Sequence, residues 1–287
     1  MTTRKAITTS NSWDDVAVEY DRHITPTGNW ALPKRALQLA GIKPSMRFLD
    51  LASGSGALGL PAARQDAYVH CVDSSPAMIE RLYARAGEER LTRLSGEVMD
   101  GTNLLFQDNE FDISGSQFGV MSFPDFRKGL EEMIRVTKPG GVVFLIVLGG
   151  LEKLDFLNIP LHAANKIAPA LTLPSQLPLQ APKASGRLWL HHFLQNHALN
   201  EVKTLPADLS PTFHSGTAWW NWVVHFHPVL FNTFSRLDAQ QQNQVEQILD
   251  QRLKYGNRDS PKVATGGNVA IAFGKKSRNM NNQKIEI

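Results

Sequence analysis

The stretch RFLDLASGSGALGL, from Arg47 to Leu60, begins as an apolar run and ends in small residues and glycines. The run RFLDLA is typical of a buried strand, and the glycines that follow let a ligand approach the backbone closely. A helix after the glycines would leave its first backbone N–H groups open to polar or anionic atoms. The stretch therefore predicts a ligand site where a strand gives way to a helix.

Short apolar segments alternate with longer amphipathic segments through the first half of the chain. Strands are predicted at 47–52, 68–73, 110–117 and 140–149. One of the helices between them opens with Ser75 and Pro76, a cap followed by a first-turn proline, and another closes before Pro139. Strands that alternate with helices predict an α/β fold with a parallel sheet covered on both faces.

The pattern changes after Gly150. Prolines break residues 151–184 into short pieces, and an aromatic stretch follows at 217–234. We interpret the chain as one domain with a helical cap inserted before its last strand. The predicted divisions are a helical lid at 1–46, a ligand-binding core at 47–150, the rest of the core with the cap at 151–262, a final strand at 263–277 and a polar tail at 278–287.

Composition narrows the class of protein. The chain has 287 residues, of which 42% are hydrophobic, enough for a substantial core. Its single cysteine, Cys71, excludes an internal disulfide and a Cys-rich metal site, and we expect no metal. No apolar run approaches the roughly 18 to 20 residues of a membrane helix, and the N-terminus lacks the apolar segment of a signal peptide. We therefore expect a cytoplasmic protein without a membrane span.

The formal net charge of +3 invites a nucleic-acid interpretation, which the position of the charges argues against. Six basic residues and one acidic residue are assigned to polar tails, which leaves 24 basic against 26 acidic residues in the body. The tail residues are Arg4, Lys5, Lys275, Lys276, Arg278, Lys284 and Glu286. A body so close to neutral gives little support to a nucleic-acid-binding face.

The glycine loop has two candidate ligands. Gly54, Gly56 and Gly59 satisfy the G-x-G-x-x-G pattern of dinucleotide-binding proteins, so an NAD(P)-dependent oxidoreductase is one alternative. Asp50 at the mouth of the loop would repel a pyrophosphate and would suit a cationic amino group. Asp73, at the end of the second strand, is placed to accept hydrogen bonds from ribose hydroxyls. A nucleoside joined to a positively charged amino acid fits both carboxylates, and S-adenosylmethionine is such a ligand.

At these residues the chain resembles the class I S-adenosylmethionine-dependent methyltransferases, in particular the small-molecule branch that includes ubiquinone and menaquinone methyltransferases. Five motifs follow in the family's order over roughly residues 13–150: LDLASGSG, VDSSPAM, MDGTNLLFQDNEFD, GSQFGVMSFPD and RVTKPGG. The family usually has glycine where this chain has Ala52. The resemblance implies a Rossmann-like seven-stranded sheet and S-adenosylmethionine as the cofactor.

The resemblance also implies roles for the matching residues. Ser74 and Met78 would flank the adenine, and Asp100 would accept a hydrogen bond from its amino group. Tyr20 would close over the cofactor, and Gln117 would line its methionine end. The full implied set is Tyr20, Asp50, Ala52, Gly54, Gly56, Asp73, Ser74, Met78, Met99, Asp100, Gly101 and Gln117. Two alternatives stay open: Asp100 as a turn cap, and the two methionines as core residues.

The acceptor of the methyl group must be sought in the cap. Trp219, Trp222 and Phe226 are predicted to line a pocket for an apolar or aromatic small molecule, with core packing as the alternative. A protonated acceptor would need a general base. The candidates are His191, His192, His214, His225 and His227, and no pattern selects among them.

Two further classes of function compete with this interpretation. Amino-methylating DNA enzymes carry N/D-P-P-Y/F after the fourth strand, where this chain has QFGVMSFPD, so we expect no nucleic-acid substrate. A protein of this fold that binds the cofactor but catalyses a rearrangement or cyclisation remains an alternative, because its cofactor pocket would look the same. The sequence does not decide the methylated atom or the oligomeric state.

Overall fold

The computed structural model describes residues 12–25, 31–149, 154–171, 186–207, 209–255 and 269–278. Predictions for residues 1–11, 263–268 and the chain beyond 278 lie outside these ranges. Within them, no helix combines the length and the apolar character needed to cross a membrane. The same residues contain no group of three or more His, Cys, Asp or Glu side chains suited to a metal ion.

Seven strands form one sheet in the order β3-β2-β1-β4-β5-β7-β6. They are β1 Arg47–Leu51, β2 Tyr68–Asp73, β3 Leu94–Val98, β4 Phe111–Gln117, β5 Thr137–Leu148, β6 Leu199–Ala207 and β7 Val269–Lys276. The first five strands pair in parallel, whereas β7 is antiparallel to both of its neighbours. The predicted seven-stranded α/β fold is confirmed, but the sheet is mixed rather than wholly parallel.

The described residues contain ten α-helices. They are α1 Ala17–His23, α2 Ala31–Ala40, α3 Gly59–Ala63, α4 Pro76–Glu88, α5 Phe126–Val136, α6 Asp155–Ile167, α7 Gly186–Gln195, α8 Gly216–His225, α9 Pro228–Phe234 and α10 Ala239–Tyr255. Ser75 caps α4 as its sequence predicts, since its side chain accepts a hydrogen bond from the Met78 N–H. A short 3-10 helix, Trp13–Asp15, precedes α1.

The helical cap consists of α6, α8, α9 and α10, which lie between β5 and β7 in the chain and pack on one another. Helix α7 packs instead against β6 and β7 and covers the sheet. Gly216 lets α8 approach α10 closely, because a Cβ there would lie 2.1 Å from the Glu246 carbonyl oxygen. The Gly216 N–H donates to Asp250 Oδ1 at 2.6 Å, which fixes the start of α8 on α10.

Two lysines that the sequence assigned to the polar tail belong to β7. The Lys276 ammonium is buried and donates to Asn109 Oδ1 and to the carbonyls of Arg135 and Thr137 at 2.8 to 3.0 Å. Lys275 pairs with Glu201 at 2.7 Å. Returning both to the body gives 26 basic against 26 acidic residues, so the body is still neutral.

Candidate functional site

The loop after β1 is held in left-handed backbone conformations. Ala52, Gly54 and Gly56 have φ angles of 54°, 52° and 95°. Glycine adopts this region at little cost, whereas for Ala52 it costs about 1 kcal/mol. Gly56 is also required by packing, because a Cβ there would lie 2.6 Å from Leu82 Cδ1 on α4. The loop is therefore shaped both by its own glycines and by the helix beneath it.

Asp73 joins this loop to the end of β2. Its Oδ2 accepts from the Gly54 N–H at 2.8 Å, and its Oδ1 accepts from the Ser75 N–H at 3.0 Å. Burial raises the pKa of the Asp73 carboxyl above its ordinary value, and these two hydrogen bonds oppose that rise. Each carboxylate oxygen can accept a further hydrogen bond. Asp73 thus fixes the loop and still has acceptor capacity for a ligand.

Asp50 lies elsewhere than the sequence predicts. Its side chain is 1% exposed and accepts the Gly59 N–H at 2.8 Å, beneath the loop. Successive residues of a strand face opposite sides of the sheet, and it is the next residue, Leu51, that lines the cavity at the end of β1. Burial raises the pKa of the Asp50 carboxyl to about 8 and so favours its neutral form. The expected contact of an Asp50 carboxylate with a cationic group at the loop mouth is therefore replaced by a structural contact with α3.

A cavity of about 380 Å³ opens at the carboxyl ends of β1, β2 and β4. It brings together ten of the twelve residues predicted to bind the cofactor: Tyr20, Ala52, Gly54, Asp73, Ser74, Met78, Met99, Asp100, Gly101 and Gln117. Asp50 and Gly56 are not part of its lining. Because parallel strands end on the same side of the sheet, residues far apart in sequence converge there. Ligands of open α/β sheets bind at these carboxyl ends.

Two polar side chains of the cavity differ in their hydrogen bonding. Asp100 Oδ1 accepts from the N–H and the hydroxyl of Thr102, each at 2.8 Å, and the backbone bond from Thr102 holds the Asp100 pKa below its usual value. Asp100 therefore caps a turn while it lines the cavity. Gln117 Oε1 is buried and has no hydrogen-bond partner among the described residues. A buried acceptor left without a donor is costly, and a donor group of a ligand would satisfy it.

The segment 12–25, called here the N-terminal segment, is fixed to α4 at two points. Asp14 accepts from the Ser75 hydroxyl and from the Ala77 N–H, the latter at 3.1 Å, at the start of α4. Further along, the Arg81 guanidinium donates twice to Asp21 Oδ2, at 2.9 and 2.7 Å. These charge-assisted bonds hold the N-terminal segment over the polar end of the cavity.

The same segment also touches the cap. The Trp13 ring meets Tyr20 edge to face, with centroids 5.8 Å apart, and meets His227 in the same way at 5.2 Å. His23 stacks on His225 of α8 at 5.3 Å. Burial and the nearby Asp73 charge raise the pKa of Tyr20 to about 12, so its phenol keeps its proton at neutral pH. Trp13 is thus shared between the polar end of the cavity and the cap.

Asp21→Asn should release the N-terminal segment without unfolding the sheet. The variant removes the carboxylate charge from the ion pair with Arg81, so the remaining hydrogen bonds are weaker, and we expect local opening to become easier by about 1 kcal/mol. Amide hydrogen exchange across 13–25 should be faster, while exchange in β1 and β4 is unchanged. Glu19→Gln is the matched control, because Glu19 pairs with Arg22 and His23 within α1. Equal protection of 13–25 in wild type and Asp21→Asn would contradict this account.

The structure distinguishes among the five histidine candidates by their positions relative to the cavity. Of the five, His227 lines the cavity. His191 and His192 lie on α7, which covers the sheet, and His214 is exposed in the turn before α8. His225 Nδ1 bonds to the Asn221 carbonyl at 2.8 Å, and burial lowers the His225 pKa.

The structure also distinguishes among the three aromatic candidates for the acceptor pocket. Trp219 is 0% exposed, its Nε1 donates to the Phe156 carbonyl at 2.8 Å, and its ring stacks on Phe213. Trp222 is buried and meets Phe156 edge to face. Phe226, just after the end of α8, lines the cavity. The two tryptophans therefore occupy the core, and Phe226 occupies the cavity wall.

Several residues of the cavity lining are not among the site residues assigned from the sequence, although five of them lie within the motif GSQFGVMSFPD. They are apolar or small residues from the N-terminal segment, from α2 and from the ends of β4 and β5: Trp13, Ile24, Thr25, Pro33, Phe118, Gly119, Ser122, Phe123, Pro124 and Leu148. The signal for some of them is present in the sequence, because parallel strands end at one edge of the sheet. The residues after β4 and β5 could have been assigned to the site on that ground.

Gly119→Ala should separate the loops after β1 and β4. A Cβ at residue 119 would lie 2.3 Å from Ala52 Cβ and 2.8 Å from the Ala52 carbonyl oxygen. We expect this overpacking to lower the free energy of unfolding by about 1 to 3 kcal/mol in a denaturant titration. The control is Gly87→Ala in α4, where a Cβ meets no atom within 4 Å and helix propensity favours alanine. Equal stability of Gly119→Ala and wild type would show that the two loops part without cost.

Comparison with known proteins identifies the domain that holds most of this site. The family described as "Methyltransferase domain" matches residues 48–141. An uncharacterised protein of Mycobacterium tuberculosis is 42% identical over 107 residues, 37% of this chain and 39% of the relative. Demethylmenaquinone methyltransferase of Corynebacterium glutamicum is 36% identical over 135 residues, 46% of this chain and 56% of the relative. The chain thus spans about two fifths to three fifths of these relatives.

Solved structures agree with the fold. Phosphoethanolamine N-methyltransferase 2 of Haemonchus contortus, in complex with S-adenosyl-L-methionine, gives a TM-score of 0.57 at 17% identity over 92% of this chain and 57% of its own. The [4+2]-cyclase SpnF gives 0.56 at 16% identity over 96% of this chain and 100% of its own. Such low identities show a shared architecture and leave the reaction open. The family match identifies residues 48–141, which run from β1 into β5, as a methyltransferase domain.

Proposed function

We propose that the protein is a methyltransferase that transfers a methyl group from S-adenosylmethionine to an apolar or aromatic small molecule. The observation that carries the proposal is that one cavity has two kinds of wall. Asp73 and the Gly54 loop form a polar part of the lining, and the rings of Phe226 and Phe123 form an aromatic part. A polar cofactor and an apolar acceptor can therefore meet in a single cavity.

The residues at the polar end fit the cofactor. Asp73 has acceptor capacity for ribose hydroxyls, and the unpartnered Gln117 Oε1 would accept from an amino group of the ligand. Met78 lies beside Gly54, so its side chain can cover a planar base. Ser74, Met99, Asp100 and the Gly101 backbone complete the proposed cofactor set.

The chain's own contribution to the reaction would be alignment and exclusion of water. When bound, S-adenosylmethionine supplies a methyl group activated by a positively charged sulfur. The N-terminal segment covers the cavity through Trp13 and Tyr20, which limits the access of water. Phe226 and Phe123 offer flat apolar surfaces against which an acceptor ring can be held in position.

The relatives favour an aromatic acceptor within this class. The Corynebacterium glutamicum relative is named for demethylmenaquinone, and its similarity is concentrated in less than half of this chain. Phe226 and His227, which belong to the proposed acceptor wall, lie outside the matched family region. The cap must therefore be tested directly.

Incubation with methyl-labelled S-adenosylmethionine and a panel of phenols, hydroxynaphthalenes, amines and carboxylates tests the proposal. We expect label to appear in an apolar aromatic acceptor and S-adenosylhomocysteine to be released in equal amount. Tight binding of the cofactor with no transfer to any member of the panel would favour a non-methylating catalyst. Tighter binding of NADH than of S-adenosylmethionine would restore the oxidoreductase alternative.

A further inference from the structure

His227 lies where the cavity meets the cap. It precedes α9, is buried, and lines the cavity beside Phe226. Its ring stands edge to face with Trp13 at 5.2 Å. It is therefore a polar side chain set in an otherwise apolar part of the wall.

One ring nitrogen of His227 is already engaged. The backbone N–H of Val229 donates to His227 Nδ1 at 3.2 Å, so the side chain acts as the N-terminal cap of α9. A backbone N–H can only donate, and the nitrogen that it meets must carry a lone pair. The neutral imidazole therefore bears its proton on Nε2.

The other nitrogen, Nε2, is not used by the α9 cap. Nε2 has no partner among the described residues, and a neutral ring protonated at this atom offers one N–H donor there. Burial lowers the pKa of His227 to about 4, so the ring stays neutral at pH 7. To take up a proton, the ring would have to place it on Nδ1, against the Val229 N–H. The position suits a hydrogen-bond donor and does not suit a general base.

We propose that His227 selects acceptor molecules that present a hydrogen-bond-accepting oxygen at the apolar end of the cavity, by donating to that oxygen from Nε2. This inference rests on the proposed function and deepens it. The substrate class is an apolar or aromatic molecule with a carbonyl, ether or hydroxyl oxygen. An analogue with a methylene group in place of that oxygen would leave the donor unpaired and bind less well.

Two probes that differ in one atom test the donor. The ketone 2-acetylnaphthalene has a carbonyl oxygen where 2-isopropenylnaphthalene has a methylene group of similar shape. Equilibrium titration of the 287-residue chain with S-adenosylhomocysteine present should show the ketone binding about 3- to 10-fold more tightly, the range expected of one hydrogen bond. The measurement needs no turnover and no knowledge of the natural acceptor.

Two variants separate the donor from the helix cap. His227→Asn keeps a good N-cap residue, but its amide ends one bond short of the Nε2 position, so the ketone preference should disappear while thermal stability is kept. His227→Gln can place an amide N–H near the Nε2 position but caps α9 poorly. It should keep a ketone preference and lose some stability.

Several results would overturn the proposal. The proposal fails if the wild-type protein binds the ketone no more tightly than the alkene. It also fails if the His227→Asn variant still binds the ketone more tightly. If both folded variants lose the ketone preference, that preference depends on the shape of the imidazole ring and not on the Nε2–H donor. Calorimetry with S-adenosylhomocysteine on the same samples tests the proposed function separately. If the wild-type protein does not bind S-adenosylhomocysteine, the proposed methyltransferase function is rejected. The preference for the ketone probe tests the role of His227 alone.

Discussion

Trp219→Ala should lower the free energy of unfolding by about 3 to 5 kcal/mol, more than any other substitution proposed for this protein. The reason is that the variant empties a fully buried site between α6 and α8. It also leaves the Phe156 carbonyl without the indole donor at 2.8 Å. Denaturant titration measures the loss, and the slope of the transition should stay the same.

Phe226→Ala is the matched change at the cavity wall. Phe226 is only partly buried, so its truncation should cost less stability than that of Trp219 and should raise the KM for the acceptor. Cofactor affinity should be nearly unchanged, as calorimetry can show. A stable Trp219→Ala variant with a selective loss of acceptor binding would reverse these assignments and move the acceptor pocket into the α6 and α8 interface.

Asp73→Ala should weaken binding of S-adenosylmethionine and S-adenosylhomocysteine by about 1.5 to 3 kcal/mol, or about 10- to 150-fold. The variant removes the acceptor of the Gly54 N–H at 2.8 Å and that of the Ser75 N–H at 3.0 Å. It would also remove the proposed acceptor of the ribose hydroxyls. Titration calorimetry with both ligands measures the change.

Asp112→Ala provides a control of similar chemistry. Asp112 accepts from the Arg47 N–H at 2.8 Å and from Lys138 Nζ at 2.6 Å. These contacts lie at the amino ends of β1 and β4, away from the cavity at the carboxyl ends of the strands. It should affect stability and leave ligand affinity unchanged. If the folded Asp73→Ala protein binds both ligands as wild type does, the polar end of the cavity is not the cofactor site.

The sequence predicted well those features that are local. Asp73 ends a strand of alternating character, Ser75 and Pro76 open a helix, and the glycines mark a loop, so each could be placed from its neighbours alone. The strand β3 was harder to place, because LSGEV has few apolar residues and lies at the edge of the sheet. Its existence followed only from the family resemblance.

The features that depend on packing between distant segments were not predictable in the same way. Asp50 and Leu51 are adjacent, and the sequence does not show which of them faces the cavity. The α8 sequence offers several aromatic residues, and only the positions of α6 and α10 decide which of them are core. His227 was one of five equal candidates until its contacts with Val229 and Trp13 were known.

The position of Trp13 has a thermodynamic consequence. Because this one ring touches Tyr20 on one side and His227 on the other, a ligand that orders it at either end of the cavity also orders it at the other. Any conformational entropy that the N-terminal segment loses when the first ligand binds is then not lost again when the second binds. By linkage, the cofactor and the acceptor must each change the affinity for the other by the same factor.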